Sequence, residues 1–502
     1  MGFGKKIAVL FLLIVLCVCF AQKINLTTAD LGRHIRNGEY VFKNPSVLYT
    51  NFYSYTEPDF KTVNHHWLFG VLSYLIWSAG GFKLVSIFFI LVNLASFSLF
   101  FLSAKKVSSF SMAFFLSLWL IPLIIFRKEI RPEMISYLFS AIFIYCLLHF
   151  KDNEITFKKL CAILVPIQLI WVNTHIFFIF GLFLAGIFTI KSISAKKFVF
   201  LMSSLILISF INPAGIKGFL EPFNIFREYG YMIAENQSVI FMQKRFYNLL
   251  YLHFEISFAF ILGGFLLIFL KSREDFKKSL SFFCLFLISG LLAFKLNRLI
   301  ALNGLIFLLT GSFVINRNAS YLFKKHTVDK KLVSSFLASL FLMLYLIPYS
   351  ANIPFNNNFG IGLLHNNGDS AKFFKDAKLH GPIFNNYDIG SYLIFHLFPN
   401  EQVFVDNRPE AYSPLFFRNT YVPMQENENL WERMDSAYKF NTIYFYRHDI
   451  TPWAQPFLIK RLGDINWVPV YVDDFVLIMV KNNGENKNII DKYELPKSIF
   501  GH

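Results

Sequence analysis

Long apolar runs recur along most of this 502-residue chain. Each holds about 15–22 residues with few charges, and a helix needs about 20 such residues to cross the ~30 Å hydrocarbon core of a bilayer. The runs lie near residues 5–22, 82–104, 108–126, 133–150, 158–172, 176–190, 198–211, 252–270, 279–294, 299–315 and 332–348. The pattern predicts a polytopic α-helical membrane protein with about eleven transmembrane helices.

One further apolar stretch, residues 67–79, ends at the pair Gly80-Gly81. Counting it as another crossing would break the alternation between strongly basic and weakly basic connections along the chain. We therefore interpret residues 67–79 as an interfacial or re-entrant helix.

Short elements replace the long apolar runs in the last third of the chain. Helices are predicted at 369–379, 388–397, 428–438 and 453–461, and strands at 382–385, 403–405, 442–446, 468–472 and 475–480. Strands that alternate with helices predict a small α/β domain. The predicted domains are a transmembrane domain at 1–349 with an outer loop at 23–66, an α/β domain at 350–485, and a polar tail at 486–502.

Charge composition supports the membrane assignment and sets an orientation. Only 16% of the residues are charged, whereas soluble proteins carry about 25%. A net charge of +16 would suggest nucleic acid as the partner of a soluble protein. Here most Lys and Arg residues lie in alternate short connections between apolar runs, which the positive-inside rule explains without nucleic acid. The rule predicts a cytoplasmic N-terminus and an extracytoplasmic C-terminal domain, and the apolar spans imply membrane lipids as partners.

The first apolar run has two interpretations. Lys5 and Lys6 precede it, as in a secretory signal peptide. Residues 19–21 do not form a clear cleavage site of small residues, so we interpret the run as an uncleaved first span.

Ionisable side chains lie in the predicted outer connections, next to the ends of spans. A charge in the middle of a span costs about 2.5–3.5 kcal/mol on insertion scales, and less near the ends. Any one of these side chains could simply reach water from a helix end, but together they predict one polar outer cavity. The candidates are Asp30, His34, His65, His66, Arg131, Glu133, His175 and Arg298.

The segment around Asp30 also has a purely structural interpretation. Thr27 and Asp30 are spaced like a capping box, and Gly38 suits the position after a helix end. This predicts a short helix at 28–37 with Asp30 and His34 on one side. Asp30 could then act only as a helix cap, and the pattern alone leaves both roles open.

Asp406 and Arg408 are the candidates in the α/β domain. They follow the predicted strand 403–405 at its carboxyl end, where open α/β sheets place their ligands. A simple strand-ending turn is the alternative.

Several of these stretches together resemble the GT-C superfamily of polytopic membrane glycosyltransferases, in particular bacterial members related to protein mannosyltransferases and aminoarabinose transferases. The similar stretches are ADLGRHIRNG with Asp30, NHHWL at 64–68, RPE at 131–133, WVNTH at 171–175, INP at 211–213 and FKLNR at 294–298. Many family members have Asp-Glu in the first loop, whereas Leu31 follows Asp30 here. A second acidic role is unassigned, with Glu57, Asp59 and Glu133 as candidates.

The resemblance implies a reaction. The donor would be a sugar on polyprenyl phosphate, and the acceptor would be a lipid, glycan or protein on the outer side of a bacterial inner membrane. Asp30 would be the general base, and Arg131 and Arg298 would bind the leaving phosphate with help from His65 or His66. A single displacement would invert the anomeric centre. Some relatives use a divalent metal, but no closed set of ligands is visible in this sequence.

Two other function classes stay open. A transporter or flippase of lipid-linked or small solutes would also be polytopic, although such proteins often show internal repeats and charges at the bilayer midplane. A non-catalytic membrane scaffold could present the outer domain to a partner. The sequence contains no complete GxGxxG or Walker motif, which fits a lipid-linked donor.

Overall fold

A computed structural model of the chain describes residues 2–322 and 358–500. The predicted span at 332–348 and the predicted boundary at 349/350 lie outside these residues. The described residues form two compact units. The helical unit draws on Met1–Gln22, Ser86–Gly215 and Ile233–Ile361, and the α/β unit draws on Lys23–Val85, Ile216–Met232 and Gly362–His502.

Helices dominate the chain up to residue 322. They are α1 (Phe3–Phe20), α2 (Leu31–Val41), α3 (Trp67–Val107), α4 (Phe110–Ile124), α5 (Glu133–Lys151), α6 (Phe157–Thr174), α7 (Phe178–Thr189), α8 (Ala195–Ser209), α9 (Ile216–Leu220), α10 (Val239–Arg245), α11 (Leu249–Lys271), α12 (Arg273–Lys278), α13 (Leu280–Lys295) and α14 (Ile300–Leu322). Within the described residues, six helices are long and apolar enough to cross a membrane, and α4, α7 and α13 are shorter apolar helices. The chain is thus a polytopic membrane protein, and the count of about eleven spans stays a prediction.

Small residues let the helices of the helical unit pack closely. A Cβ on Gly304 of α14 would lie 2.9 Å from the backbone nitrogen of Ile124 in α4. A Cβ on Gly264 of α11 would lie 2.0 Å from the side chain of Val314 in α14. Such contacts are typical of membrane helices, where van der Waals packing drives association. Helix α14 is thereby packed closely against both α4 and α11.

Helix α3 contains the predicted break. Gly80 and Gly81 have non-helical backbone angles, and the φ of Gly81 is +63°, a conformation that glycine adopts without a steric penalty. The helix predicted for residues 67–79 and its end at the glycine pair are therefore confirmed.

A four-stranded sheet forms the centre of the α/β unit. Its strands β1 (Ile383–Asn385), β2 (Thr442–Tyr446), β3 (Trp467–Val472) and β4 (Val476–Lys481) lie in the order β1-β2-β4-β3. β1 pairs with β2 in parallel, and the other pairs are antiparallel. Asp473 stabilises the β3–β4 turn because one carboxylate oxygen accepts the backbone N–H groups of Phe475 and Val476, at 2.7 Å each. The predicted hairpin and the α/β domain are confirmed.

Helices surround this sheet. They are α15 (Asp369–Asp376), α16 (Gly390–Leu397), α17 (Pro414–Phe416), α18 (Pro423–Glu426), α19 (Glu428–Tyr438), α20 (Ala454–Gly463) and α21 (Lys487–Tyr493). The core between helices and sheet is rich in aromatic rings, with Phe384 of β1 packed 5.0 Å from Trp431 and 5.2 Å from Phe457 between ring centroids. This core fixes the end of β1, from which the loop before α16 starts.

The strand predicted at 403–405 is wrong. Val403 forms only an isolated bridge with Ser54. The side chain of Asn385 takes the place of a regular ladder, because it donates to the carbonyl of Val405 at 2.7 Å and accepts the N–H of Phe404 at 2.9 Å. A continuous apolar triplet fits both a strand and an extended segment held by a side chain, so the pattern could not separate them.

Candidate functional site

Asp30 lies at the beginning of α2, but it does not cap the helix. Its backbone already has helical angles, φ −64° and ψ −15°, and its side chain makes no capping hydrogen bond. The hydroxyl of Thr27 donates to Asn25 instead. The predicted capping box is therefore wrong, and the helix runs from Leu31 to Val41 rather than over 28–37. The carboxylate of Asp30 is directed to other partners.

Those partners come from a distant part of the chain. Asn407 donates a hydrogen bond from its side-chain amide to Asp30 Oδ1, and its amide oxygen accepts the hydroxyl of Ser391. Arg33 Nη2 lies 3.9 Å from the same carboxylate oxygen. The Asp30 side chain remains 17% exposed. The carboxylate is thus oriented by neutral and cationic donors and is still reachable from outside.

Arg33 is a site residue that the sequence analysis missed. It is only 7% exposed, and within the described residues its Nε atom is buried without a hydrogen-bond partner. Burying a guanidinium donor without a partner is costly, which makes Arg33 a functional candidate. Its position three residues after Asp30 on one helix was the available signal.

Three of the four predicted histidines, His34, His65 and His66, lie in the same unit as Asp30. His34 is 2% exposed, and its ring packs edge-on against Phe69 at 5.0 Å and His66 at 5.7 Å between centroids. His65 Nε2 lies 3.7 Å from Glu221 Oε1. These histidines therefore lie near α2. His34 is held in place by its contacts with Phe69 and His66.

Asp406 and Arg408 form hydrogen bonds with each other. Arg408 donates to Asp406 Oδ1 from its backbone N–H at 3.0 Å and from Nε at 2.8 Å, and to Oδ2 from Nη2 at 2.7 Å. Burial opposes ionisation of Asp406, but Arg408 outweighs it and holds the pKa of the carboxyl below its ordinary value. Tyr412 also donates to Asp406, and Arg408 donates to Asn51. The pair fixes the backbone on both sides of Asn407, which reaches Asp30.

Glu410 is a second missed residue of this loop. It lies in the short 3-10 helix Pro409–Ala411. Burial raises the pKa of Glu410, although Arg33, Arg408 and His65 act against the rise. Arg33 therefore acts on two carboxyl groups, those of Asp30 and Glu410.

Two acidic candidates from the sequence have structural partners. Glu57 accepts hydrogen bonds from the backbone N–H and the hydroxyl of Ser413, both at 2.7 Å. Glu133 Oε2 lies 3.3 Å from Arg127 Nη2. The contact of Glu57 joins distant parts of the chain, whereas that of Glu133 is local.

A group of charged residues in the helical unit contains Arg131. Its Nη1 and Nη2 atoms lie 3.0 Å and 2.8 Å from the two carboxylate oxygens of Glu235. Arg127 Nη2 lies 3.0 Å from Glu235 Oε2. Burial opposes ionisation of Glu235, but Arg131, Arg127 and Arg298 lower its pKa to about 2. Arg127 and Glu235 were not predicted, because a contact between residues over 100 positions apart leaves no local pattern.

Arg298 lies beside this group. Its guanidinium carbon is 5.7 Å from the ring centroid of Phe177, at a distance typical of a cation–π contact. Its Nε atom is buried and has no hydrogen-bond partner within the described residues. Arg298 therefore retains hydrogen-bonding capacity next to Arg131 and Arg127.

His175 is part of a buried network of the helical unit. It is 3% exposed, and its Nδ1 lies 2.8 Å from the hydroxyl of Ser136. Trp171 Nε1 donates to the same hydroxyl at 2.8 Å. This network fixes the tight connection between α6 and α7.

The predicted site residues thus fall into two groups. Asp30, His34, His65, His66, Asp406 and Arg408 lie in the α/β unit, and Arg131, Glu133, His175 and Arg298 lie in the helical unit. The single outer cavity that the sequence suggested stays a prediction.

The described part of the chain brings together no group of three or more His, Cys, Asp or Glu side chains that could hold a metal ion. Asp30 is contacted by the guanidinium of Arg33 and by the side-chain N–H group of Asn407, and such donor groups are not ligands of a divalent cation. We therefore derive no step through a metal.

The fold is similar to that of two solved proteins. The oligosaccharyltransferase of Archaeoglobus fulgidus, tethered to an acceptor peptide with the NVT sequon, matches with a TM-score of 0.58 and 10% identity over 96% of this chain and 74% of that chain. The same enzyme in complex with Zn and sulfate gives 0.55 and 11% over 94% and 73%. ArnT from Cupriavidus metallidurans bound to undecaprenyl phosphate gives 0.51 and 11% over 99% and 100%.

No protein-family model matches the chain, and no curated protein matches it by sequence. At an identity of 10–11%, the likeness to solved structures shows the fold. The chain thus shares its fold with the oligosaccharyltransferase and with ArnT, and the architecture that the resemblance implied is confirmed.

Proposed function

We propose that this protein is a membrane glycosyltransferase that moves a sugar from a polyprenyl-phosphate-linked donor to an acceptor on the extracytoplasmic face. The observation that carries this proposal is the fold likeness, which extends over 94–99% of the chain. The solved neighbours include a protein bound to undecaprenyl phosphate and one tethered to an acceptor peptide. A lipid-linked donor also fits a chain with six long apolar helices among its described residues.

Asp30 is the proposed general base. In the proposed step, an acceptor hydroxyl attacks the anomeric carbon, the bond from that carbon to the phosphate oxygen breaks, and Asp30 takes the hydroxyl proton. The electron pair of the broken bond leaves on the phosphate. Asp30 suits this role because its carboxylate is partly exposed, is not used as a helix cap, and is oriented by Asn407 and Arg33. A single displacement would invert the anomeric centre.

The other predicted residues receive supporting roles in this proposal. Arg131 and Arg298 suit a phosphate group, because guanidinium groups donate paired hydrogen bonds to its oxygens. His34, His65 and His66 would contact substrate near α2. Asp406 and Arg408 would act through Asn407, since their polar atoms are already engaged with each other.

The proposed location is a bacterial inner membrane with the N-terminus in the cytoplasm. The distribution of Lys and Arg among the connections supports this orientation. The acceptor class, whether lipid, glycan or protein, would be revealed by the product of the reaction.

The test is a glycan analysis of cells that express the wild type or Asp30→Asn at matched levels. We expect Asp30→Asn to lose one sugar from a surface lipid, glycan or protein, with a drop in rate of about 10²–10⁴ typical of removing a general base. Glu39→Gln is the matched control, because Glu39 lies on the same helix and pairs with Arg36 three residues away.

We expect Glu39→Gln to retain transfer. If a full deletion changes the glycan profile while Asp30→Asn leaves it intact, the assignment of Asp30 as the base is wrong. If neither changes the profile, the proposed function is wrong.

A further inference from the structure

Glu235 occupies an anion site in the helical unit. Its two carboxylate oxygens meet Nη1 and Nη2 of Arg131 at 3.0 Å and 2.8 Å, and one of them also meets Arg127 Nη2 at 3.0 Å. Two parallel contacts between a guanidinium and an anion are the geometry that arginine uses for carboxylates and phosphates alike. The site therefore holds a carboxylate in a geometry that also suits phosphate.

The backbone that carries Glu235 is held in place. Glu235 lies in the 3-10 helix Ala234–Asn236. The side chain of Asn297 donates to the carbonyls of Ala234 at 2.8 Å and Gln237 at 3.1 Å, and its backbone N–H donates to Gln237 at 3.0 Å. These contacts hold the backbone on both sides of Glu235, so an exchange at the arginines needs only a movement of the Glu235 side chain.

Within the described residues, the arginine group keeps buried N–H donors without a hydrogen-bond partner while Glu235 is in place, at Nε of Arg127 and Nε of Arg298. Three guanidinium groups, those of Arg131, Arg127 and Arg298, act on this one carboxylate. Glu133 Oε2 lies 3.3 Å from Arg127 Nη2, and Glu129 Oε2 lies 2.7 Å from Arg131 Nε. A ligand with more oxygens and more charge would satisfy the group better.

We propose that Glu235 is an internal competitor for this site, which the phosphate monoester of a polyprenyl phosphate takes by displacing the carboxylate from Arg131 and Arg127. The inference rests on the proposed function, in which polyprenyl phosphate is the leaving group. Its consequence is release of the lipid product, because the returning carboxylate restores the arginine contacts as the phosphate departs.

The charge and the number of oxygens of the two anions decide which one binds the arginines more strongly. A phosphate monoester carries about 1.5–2 negative charges and three acceptor oxygens at neutral pH, whereas a carboxylate carries one charge and two oxygens. A phosphodiester donor carries one charge, as Glu235 does. Competition with Glu235 thus weakens binding of both lipids, and the monoester is the stronger competitor.

The test measures binding of undecaprenyl phosphate to the purified full-length protein in detergent by native mass spectrometry. We expect Glu235→Gln to lower the dissociation constant about tenfold, because the competing charge is gone. Glu129→Gln is the matched control. Glu129 also pairs with Arg131, at 2.7 Å, but is 56% exposed, so its removal is expected to change the constant by less than about twofold.

Further arms identify the group that is recognised. Undecaprenol, which has no phosphate, is expected to bind the wild type and Glu235→Gln equally. Inorganic phosphate is expected to compete with the lipid more strongly in Glu235→Gln. The gain is expected to vanish in the double variant Arg131→Gln/Glu235→Gln, since the proposal assigns it to the arginine contacts.

Unchanged or weaker binding of undecaprenyl phosphate by Glu235→Gln overturns the proposal, as does an equal gain in Glu129→Gln or in undecaprenol binding. If Glu235→Gln does not fold, Glu235→Asp keeps the charge but is one methylene shorter, and it is expected to tighten binding by a smaller factor; no gain there overturns the proposal too. Transfer that survives Asp30→Asn would count against the proposed base, whereas unchanged binding in Glu235→Gln counts against the exchange alone.

Discussion

Asn407 connects a buried ion pair to the candidate base. Its neighbours on either side, Asp406 and Arg408, are 0% and 7% exposed and bind each other through three hydrogen bonds. Its own amide group bridges Ser391 and Asp30. Because the backbone of Asn407 cannot move without breaking the pair, the orientation of the Asp30 carboxylate depends on residues that never touch it. At the residue scale, positioning and stability are therefore linked.

Asp406→Asn is expected to destabilise the α/β unit. Removing one partner of a buried pair leaves an uncompensated charge, which typically costs about 3–5 kcal/mol. The folded-state pKa of Asp406 lies below its ordinary value, so the stabilisation is present above the unfolded pKa and is lost as the pH falls through the folded one. We expect the melting temperatures of wild type and variant to differ by a constant amount between about pH 5 and 8 and to converge below about pH 4.

Asp376→Asn is the control for this change. Asp376 is exposed at the end of α15, and its replacement is expected to alter stability by less than about 0.5 kcal/mol. Equal melting curves for Asp406→Asn and the wild type at neutral pH would show that the pair contributes nothing to stability.

Helix α2 and the beginning of α3 meet backbone to backbone. A Cβ on Gly38 would lie 2.2 Å from the carbonyl oxygen of Gly70, and a Cβ on Gly70 would lie 2.8 Å from the carbonyl oxygen of His34. The sequence analysis interpreted Gly38 as a residue that follows a helix. In the structure it lies inside α2, where the absence of a side chain permits the contact.

Gly38→Ala is expected to separate these two helices. The added methyl would meet backbone atoms, which cannot rotate away as a side chain can, so a destabilisation of roughly 1–3 kcal/mol or more is expected. Transfer activity should fall as well, because His34 and Asp30 are carried on α2. Thermal unfolding and the glycan assay measure the two effects.

Gly263→Ala on α11 is the matched control, since a Cβ there would meet nothing within 4 Å. Alanine favours a helix over glycine by about 1 kcal/mol, so this variant should be as stable as the wild type or more stable. A Gly38→Ala protein that melts with the wild type would contradict the close contact between α2 and α3.

Hydrophobic patterning predicted the elements better than it predicted their ends and partners. The apolar helices and the β3–β4 hairpin follow from periodicity, because burial of apolar faces decides both. The beginning of α2 could not be predicted in this way. The side chain of Asp30 accepts a hydrogen bond from Asn407, 377 positions away, instead of capping the helix. The segment 403–405 did not follow either, since its hydrogen bonds depend on the side chain of Asn385.

Only some of the site residues could be identified from the sequence. Charged residues next to apolar runs were visible, so Asp30, Arg131 and Arg298 could be named. Arg127, Glu235 and their shared contacts could not, because pairing across more than 100 positions depends on the fold. The division of the candidates between two compact units was likewise invisible in a linear pattern.

The orientation of the chain in the membrane is a prediction at this scale. Gly484 and Ser194 are both exposed, and a Cβ on Gly484 would meet nothing within 4 Å. In the experiment, the five native cysteines are first changed to alanine. One of these two residues is then replaced by cysteine in each variant. The positive-inside rule places Ser194, which lies next to Lys191, Lys196 and Lys197, in the cytoplasm and Gly484 outside.

We therefore expect a membrane-impermeant maleimide to label Gly484→Cys in intact spheroplasts and Ser194→Cys only after the membrane is permeabilised. Labelling of the permeabilised sample confirms that each cysteine is accessible in the folded protein. The reverse pattern would place the α/β unit in the cytoplasm. Because Asp30 belongs to that unit, the reverse pattern would also place the proposed transfer in the cytoplasm. Nucleotide sugars are available there, and a lipid-linked donor is not required.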